Sequence, residues 1–593
     1  MTRNRCSCSR VTGRALCGLV VLVGLLPAVG GERNDRKGKV AMDGMTVTYN
    51  GIRLPEQWPP LPDALPLEPS RPPYLVKPPA VIPIDVGRQL LIDGFLIEDT
   101  NLKRTFHRPV FHPDCPVLKA DRPWEHIADG KKQGAFAMPF SGGVWYDPQD
   151  QLFKIWYHGD YGKRYLCHAR SRDGVRWDKP DLGVVPGTNI VLESAGGARV
   201  VWLDQEDPDP DRRFKLITSR GGDDLLKPGQ EWFGSRCSMT VHTSPDGIHW
   251  GEAVVRTGPT GDRNSAFWNP FRRRWVFSIR EYSPVGGSTG PKRCRRYWES
   301  PDLLQNLPWA YREPPLWVGA DRDDLLPGFR IQPELYNLDA VAYESVMLGF
   351  FCIMREFPDR EGFRPKINEV CVGFSRDGFH WHRPDRRSFM GTVDKENAWN
   401  RGNMQSVGGG CAVVGDRLYF YVSGRAGSKP HFHDAGGSTG LAVLRRDGFA
   451  SMGAGSEPGV LTTRPVTFSG RYLFINVDAD GGDVRAEVLS ETGDVFPALS
   501  LAHCEPMTED SVLHRVQWDD GADLLSIAGQ PVRFRFHLRQ AHLYAFWTSP
   551  DESGASHGYI AAGGPGFTGP TDTVGQAALQ AGLTLEAGDG GIR

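Results

Sequence analysis

A chain of 593 residues exceeds the roughly 250–300 at which one hydrophobic core stops growing, so more than one domain is required. Hydrophobic residues make up 40% and charged residues 24%, while 70 glycines, 46 prolines and 17 tryptophans favour many turns and large flat packing surfaces, hence an all-β protein. The formal net charge of -2, with no long Lys/Arg block, excludes the electrostatic footprint of a nucleic-acid binder.

At the N-terminus, Arg3, Arg5, Arg10 and Arg14 precede an apolar run over residues 16–26 and a small-x-small site at Ala28-Val29-Gly30. This is the pattern of a secretory signal peptide over residues 1–30. The run is shorter than the ~20 apolar residues of a membrane span, and Cys17 lies at its start rather than at the cleavage site. The expected product is therefore secreted or periplasmic, without a membrane anchor. Residues 31–84 are proline-rich and read as an extended segment. Cys115, Cys167, Cys237, Cys294, Cys352, Cys371, Cys411 and Cys504 show no zinc-binding spacing.

The next feature in chain order is a repeat. Ser171-Arg172-Asp173-Gly174-Val175-Arg176-Trp177 recurs as Ser244-Pro245-Asp246-Gly247-Ile248-His249-Trp250 and as Ser375-Arg376-Asp377-Gly378-Phe379-His380-Trp381. Weaker copies stand at Ser300-Pro301-Asp302-Leu303 and Arg445-Arg446-Asp447-Gly448-Phe449, so five units follow one another. Asp-Gly suits a tight turn because Asp accepts hydrogen bonds from nearby amides and Gly tolerates positive φ. Each unit opens with an apolar hairpin, the first being Val144-Trp145-Tyr146 and Leu152-Phe153-Lys154-Ile155-Trp156-Tyr157. Hairpin, third strand, Asp-Gly turn and fourth strand make one propeller blade, whose first strand lines the central channel.

The expected architecture is an all-β, five-bladed β-propeller followed by a β-sandwich domain. The propeller takes residues 85–455, with residues 82–99 available to dock on or close the ring. Period-two strands over residues 456–549 form the sandwich. The Gly/Ala-rich residues 550–593 read as a disordered tail.

In this architecture the chain resembles the glycoside hydrolases related to invertase and levanase, family 32, with kinship to the arabinanase-like family 43. The Asp-Gly turn is also similar to the Asp-box of sialidases, with one residue fewer between Asp and Gly. The resemblance implies catalytic acids on inner strands: an Asp in blade 1, an Asp within Arg-Asp-Pro, and a Glu within Glu-Cys. At the first position this chain reads Met138-Pro139-Phe140-Ser141-Gly142, so fructosidase activity is not expected. At the second, Asp262-Arg263-Asn264-Ser265 resembles Arg-Asp-Pro with its charged pair reversed. At the third, the strand running from Tyr336-Asn337-Leu338-Asp339 to Tyr343-Glu344 carries no Glu-Cys.

Glycoside hydrolysis needs one group to protonate the leaving oxygen and one to attack or to activate water. Asp339, Asp262 and Glu344 are the candidate catalytic residues, the first two at strand starts and hence at one mouth. Arg280-Glu281, Arg355 and Arg425 occupy second-strand ends in successive blades, and with Arg263 form a candidate ring for an anionic sugar. Trp124 and Trp399 are candidate stacking platforms. No cofactor is expected; family-43 relatives can hold a channel calcium, which the spacing of His158, His431 and His433 neither supports nor excludes. The function expected is hydrolysis of a poly- or oligosaccharide, anionic substrates included, and the alternative is a non-catalytic carbohydrate-binding propeller.

Overall fold

The computed structural model describes residues 46–126, 135–159, 164–193, 196–197, 199–221, 237–285, 290–305, 307–356, 366–426 and 436–587, the side chains at 220, 221, 586 and 587 aside. The expected signal peptide and the histidines at 431 and 433 lie outside them. Among the described residues no helix is long and apolar enough to cross a membrane.

The fold is all-β, a propeller with a sandwich. Blade 1 is an antiparallel sheet of Val144–Asp147, Leu152–His158, Leu166–Ser171 and Ile190–Leu192. Blade 2 uses Arg199–Leu203, Phe214–Gly221, Cys237–Ser244 and Val255–Thr260, and blade 3 uses Ser265–Asn269, Arg274–Ser283, Lys292–Ser300 and Leu316–Gly319. Blade 4 is Glu334–Glu344, Val346–Glu356 and Ile367–Ser375, its fourth position held by the Val370–Met390 and Phe374–His382 bridges. Blade 5 has a divided inner edge, Asn403–Gln405 and Ala412–Val414, then Arg417–Arg425 and Gly437–Arg445. Its outermost strand is Val110–Phe111, which pairs with Gly437–Arg445 and so closes the ring with chain that precedes blade 1.

In blades 1, 2 and 4 the repeated turn locks the blade to the one before it around the ring. Asp173, Asp246 and Asp377 each accept two backbone N–H groups through Oδ1, while Ser171, Ser244 and Ser375 accept the glycine N–H. Tyr421 Oη of blade 5 donates to Gly174 O in blade 1, and Trp156 Nε1 of blade 1 donates to Gly247 O in blade 2. Trp317 Nε1 of blade 3 likewise donates to Phe379 O in blade 4. Gly247 is required twice over: its φ is +77°, and a Cβ there would fall 2.5 Å from Trp156 Cζ2.

The sandwich packs two sheets. One holds Ile82–Pro83, Val466–Thr467, Val532–Arg539, Gly459–Thr463, Ile97–Thr100 and Asp483–Ser490; the other holds Asp510–Arg515, Tyr472–Asp478, Ala541–Ser549, Ala450–Ala454, Lys103–Phe106 and Gln89–Leu90. Val532, Phe534, Phe536 and Leu538 are buried while Arg533, Arg535 and His537 alternate outward, the period of a half-buried strand. Residues 82–106 therefore belong to the sandwich sheets, and ring closure falls instead to Val110–Phe111.

The disordered tail expected over residues 550–593 is corrected as far as residue 587. Tyr559–Ile560 pairs with the end of the blade 4 inner strand, and Gln576–Ala587 is a helix. Tyr146 N donates to Ala562 O, Ala562 N to Cys411 O and Val413 N to Gly563 O, so this segment covers the C-terminal ends of inner strands in blades 1, 4 and 5. The small residues serve close approach: a Cβ on Gly564 would lie 1.8 Å from Val413 O. All eight cysteines described are free thiols.

Candidate functional site

The N-terminal ends of the inner strands converge on Asp339. It is buried, 5% exposed, and both carboxylate oxygens are engaged. Ser141 Oγ of blade 1 donates to Oδ1 at 2.6 Å; Asn337 Nδ2 and the backbone N–H of Val407 in blade 5 donate to Oδ2, each at 2.9 Å. Asn337 also donates to Ser406 Oγ at 3.1 Å, and Ser265 Oγ of blade 3 donates to Leu338 O. Three blades thus hold the carboxylate, and a fourth holds the backbone beside it. Burial pushes its pKa above the usual range, and the three donors with Arg263 pull against that push.

Arg263 lies beside this carboxylate. Its guanidinium stacks on Phe140 at 4.2 Å and donates to Gln405 Oε1 at 3.0 Å, yet among the described residues it has no carboxylate partner in an ion pair. Phe140 has a φ of 49°, an unfavourable left-handed backbone for an aromatic residue, held by a 2.8 Å bond from its N–H to Ser423 Oγ. Arg425, 4% exposed, stands over Phe136 and Phe140 at 5.5 and 5.9 Å. His158 meets Phe140 edge-on at 4.6 Å; burial, then Arg199, Arg263 and Arg425, hold its pKa well below the usual imidazole range. That imidazole is neutral at pH 7.

Tyr336, from the same inner strand as Asp339, sits on the other side of Arg263. The Lys366 ammonium is 3.6 Å from its ring centre, and Arg293 and Arg263 lie at 5.6 and 5.9 Å. Burial alone would raise the phenol pKa, but Lys366 and then Arg263 bring it down to about 7. Arg295, fully buried, donates to the carbonyls of Arg263 and Tyr336 and so ties blade 3 to blade 4; burial first, and Arg280 next, lower its pKa to about 9.

Asp262 stands at the rim, its side chain 60% exposed and paired with Arg280. Arg280 stacks on Tyr282 at 4.7 Å. Asp339, Arg263, Arg425, Asp262 and Arg280 are thus at one mouth.

Four other expectations are corrected. Glu344 is at the opposite end of its strand and fully buried, bonded to Arg88 N, Ser556 Oγ and Arg446 in an ion network between propeller and sandwich. Glu281 turns to the other face of its strand and pairs with Arg296 at 2.8 Å. Arg355 is fully buried against Glu369 at 2.9 Å, because a bulge between Met354 and Glu356 shifts the register there and rotates it away. The rings of Trp124 and Trp399 are packing elements: Trp124 Nε1 donates to Asn189 Oδ1 at 2.8 Å, and Trp399 lies flat in a slot left by Gly424 and Gly440.

Sequence reasoning missed Ser141, Asn337, Tyr336 and Lys366. Ser141 occupies the blade 1 position where an acid was sought, and Tyr336-Asn337 directly precede Asp339, so three of the four lay inside segments already singled out. Lys366 opens a third strand and carries no local signal.

No family model and no curated protein matches the chain. Among solved structures it is similar to an N-acetylgalactosamine deacetylase from F. plautii in complex with blood group B trisaccharide, at 12% identity over 56% of this chain and 97% of that one, with a TM-score of 0.38. A glycosyl hydrolase from Bacteroides ovatus is 12% identical over 57% of this chain and 94% of that one, TM-score 0.35. A family 43 arabinoxylan arabinofuranohydrolase from Bacillus subtilis is 10% identical over 69% and 78%, TM-score 0.29. No residue role follows from likeness at this level.

Proposed function

We propose that this protein is an exported hydrolase of O-glycosyl bonds in an anionic poly- or oligosaccharide, with Asp339 as the ionised group that activates the attacking water. One observation carries the reading: a single carboxylate, held by donors from blades 1, 4 and 5, lies at the channel mouth beside a guanidinium that has no carboxylate partner among the described residues. A carboxylate with both oxygens fixed is preorganised for one direction of attack, and the nearby cations favour a substrate bearing a carboxylate or sulfate. Asp262, paired with Arg280 at the rim, contributes to binding at the entrance of the site in this reading.

The test is Asp339→Asn on a panel of neutral, uronate-containing and sulfated glycans. Turnover falls by about 10²–10⁴-fold on the anionic members while circular dichroism stays that of the parent. Full activity in the variant refutes the assignment. Undiminished glycan binding by both proteins, with no turnover by either, favours the non-catalytic carbohydrate-binding propeller instead.

A further inference from the structure

A hydrolase needs a proton donor as well as a base, and among the described residues the mouth supplies no second carboxylate that is not already in an ion pair. Asp262 is paired with Arg280 at the rim, and Glu334 is paired with Arg293. Among the described residues, Tyr336 beside Arg263 carries a phenol proton that the surrounding cations make easier to release. We propose that Tyr336 is the proton donor to the departing sugar oxygen, and that the anionic group of the substrate is seated on Lys366 and Arg263. The inference rests on the hydrolase reading and adds its acid and its anion subsite.

The geometry supports both parts. Among the described residues, the charged side chains that stand over the Tyr336 ring are cationic: Lys366 from the third strand of blade 4, Arg263 from the entrance of blade 3 and Arg293 from its third strand, with Arg425 of blade 5 further off. Of these, Lys366 is 8% exposed, and neither it nor Arg263 has a carboxylate partner among the described residues. A buried cation such as Lys366 without an anion is costly, and a bound carboxylate or sulfate removes that cost. The same cations stabilise phenolate, which makes the phenol a far stronger acid than an ordinary tyrosine and fits it to protonate a leaving group near neutral pH.

In the reaction, the glycosidic C–O bond breaks and its electron pair stays on the leaving oxygen, which takes the phenol proton of Tyr336. Water forms the new bond to the anomeric carbon and gives its proton to the Asp339 carboxylate. One water is consumed; Tyr336 phenolate and protonated Asp339 then exchange protons with solvent. Direct attack by water makes the first product anomer inverted.

The experiment compares wild type with Tyr336→Phe and Lys366→Met on two kinds of probe, uronate oligosaccharides and 4-nitrophenyl glycosides of the same uronates. A nitrophenolate leaves without a proton. Tyr336→Phe should therefore lose about 10²–10⁴-fold on the oligosaccharide and at least tenfold less on the aryl glycoside, a split that a merely structural role does not give. The alkaline limb of the wild-type profile should disappear in Tyr336→Phe. In Lys366→Met it should move to higher pH, because loss of the cation raises the phenol pKa, and KM for the uronate should rise. A difference absorbance titration of wild type minus Tyr336→Phe should show one tyrosine ionising near neutral pH. Equal losses on the two probes, a retained product anomer, or no neutral tyrosine ionisation overturns the acid role. Wild type inactive on every probe overturns the hydrolase reading itself, and the absorbance titration still reports separately on Tyr336.

Discussion

Ser141 of blade 1 donates its hydroxyl proton to Asp339 of blade 4 at 2.6 Å, across the mouth of the channel. The residue standing where a catalytic acid was sought in blade 1 is thus tied to the carboxylate that blade 4 supplies. A hydrogen bond to an ionised acceptor contributes about 1.5–3 kcal/mol, and it stabilises the charged form only.

Ser141→Ala should therefore raise the pKa of Asp339 further, since the hydroxyl is one of the donors that pull it down. As a base, Asp339 must be ionised, and activity is lost as pH falls through its pKa. The acid limb of the kcat/KM profile moves to higher pH, with the rate on its alkaline side little changed. An acid limb that stays in place shows that the bond does not tune the reacting group.

Asp339→Asn should leave the melting temperature at pH 7 unchanged or raised. A carboxyl whose folded pKa lies above its unfolded value holds its proton more tightly when folded. Its contribution to stability is fully present below the unfolded pKa and is lost as pH rises through the folded one. Above both values the folded protein carries a net cost that a neutral amide removes. The amide also fits, because its oxygen can accept from Asn337 and Val407 while Ser141 turns to accept from its nitrogen. A melting temperature lowered by many degrees contradicts this account.

Glu344→Gln addresses a residue that the sequence offers as catalytic and the fold uses as a joint. Its carboxylate lies among Arg88, Arg446 and Ser556, with Asp447 and Asp572 completing a network that has no solvent exposure. Burial, with Asp447 and Asp572, pushes the Glu344 pKa up against the pull of Arg88 and Arg446, so above that pKa the charge is a net cost that the amide removes, and urea unfolding at pH 7 should shift little. The activity of the molecules that remain folded should match wild type. Loss of activity at undiminished stability restores Glu344 to the reaction.

Much of this was legible because repeats expose geometry: Asp173-Gly174, Asp246-Gly247 and Asp377-Gly378 mark the blade turns, and the residues around them count the units. Asp339 was legible as an acid entering an inner strand. Faces were harder to read. One bulge beside Met354 turns Arg355 out of the expected ring, and no pattern in the sequence announces a bulge. Glu344 failed because its distance along the strand, five residues past Asp339, places it at the far mouth. The Gly/Ala-rich C-terminal segment was misread because composition does not separate residues that are small for want of a core from residues that are small to fit one.

That misreading yields a firm test. A chain truncated after residue 549 loses the strand Tyr559–Ile560, the backbone bonds to Tyr146, Cys411 and Val413, and Asp572, the partner of buried Arg446. Truncation should lower the melting temperature by well over 5 °C or leave the protein insoluble. A stable, monodisperse protein ending at residue 549 rejects the structural role of the segment.

Arg263→Met separates charge from packing at the site. The thioether keeps most of the contact with Phe140, while the bond to Gln405 and the positive charge are removed. A charge-assisted hydrogen bond of about 1.5–3 kcal/mol corresponds to roughly 10–150-fold in KM for an anionic glycan. Neutral glycans, which give the guanidinium no charge to meet, should change little. Arg263→Lys should recover only part of the loss, since an ammonium lacks the planar fork that stacks on Phe140 while donating sideways. Salt supplies the control: the wild-type preference for anionic over neutral glycans should shrink as ionic strength rises, and in Arg263→Met that dependence should be weaker. A variant that loses neutral and anionic substrates equally shows that Arg263 supports the fold of the mouth rather than recognising the charge of the substrate.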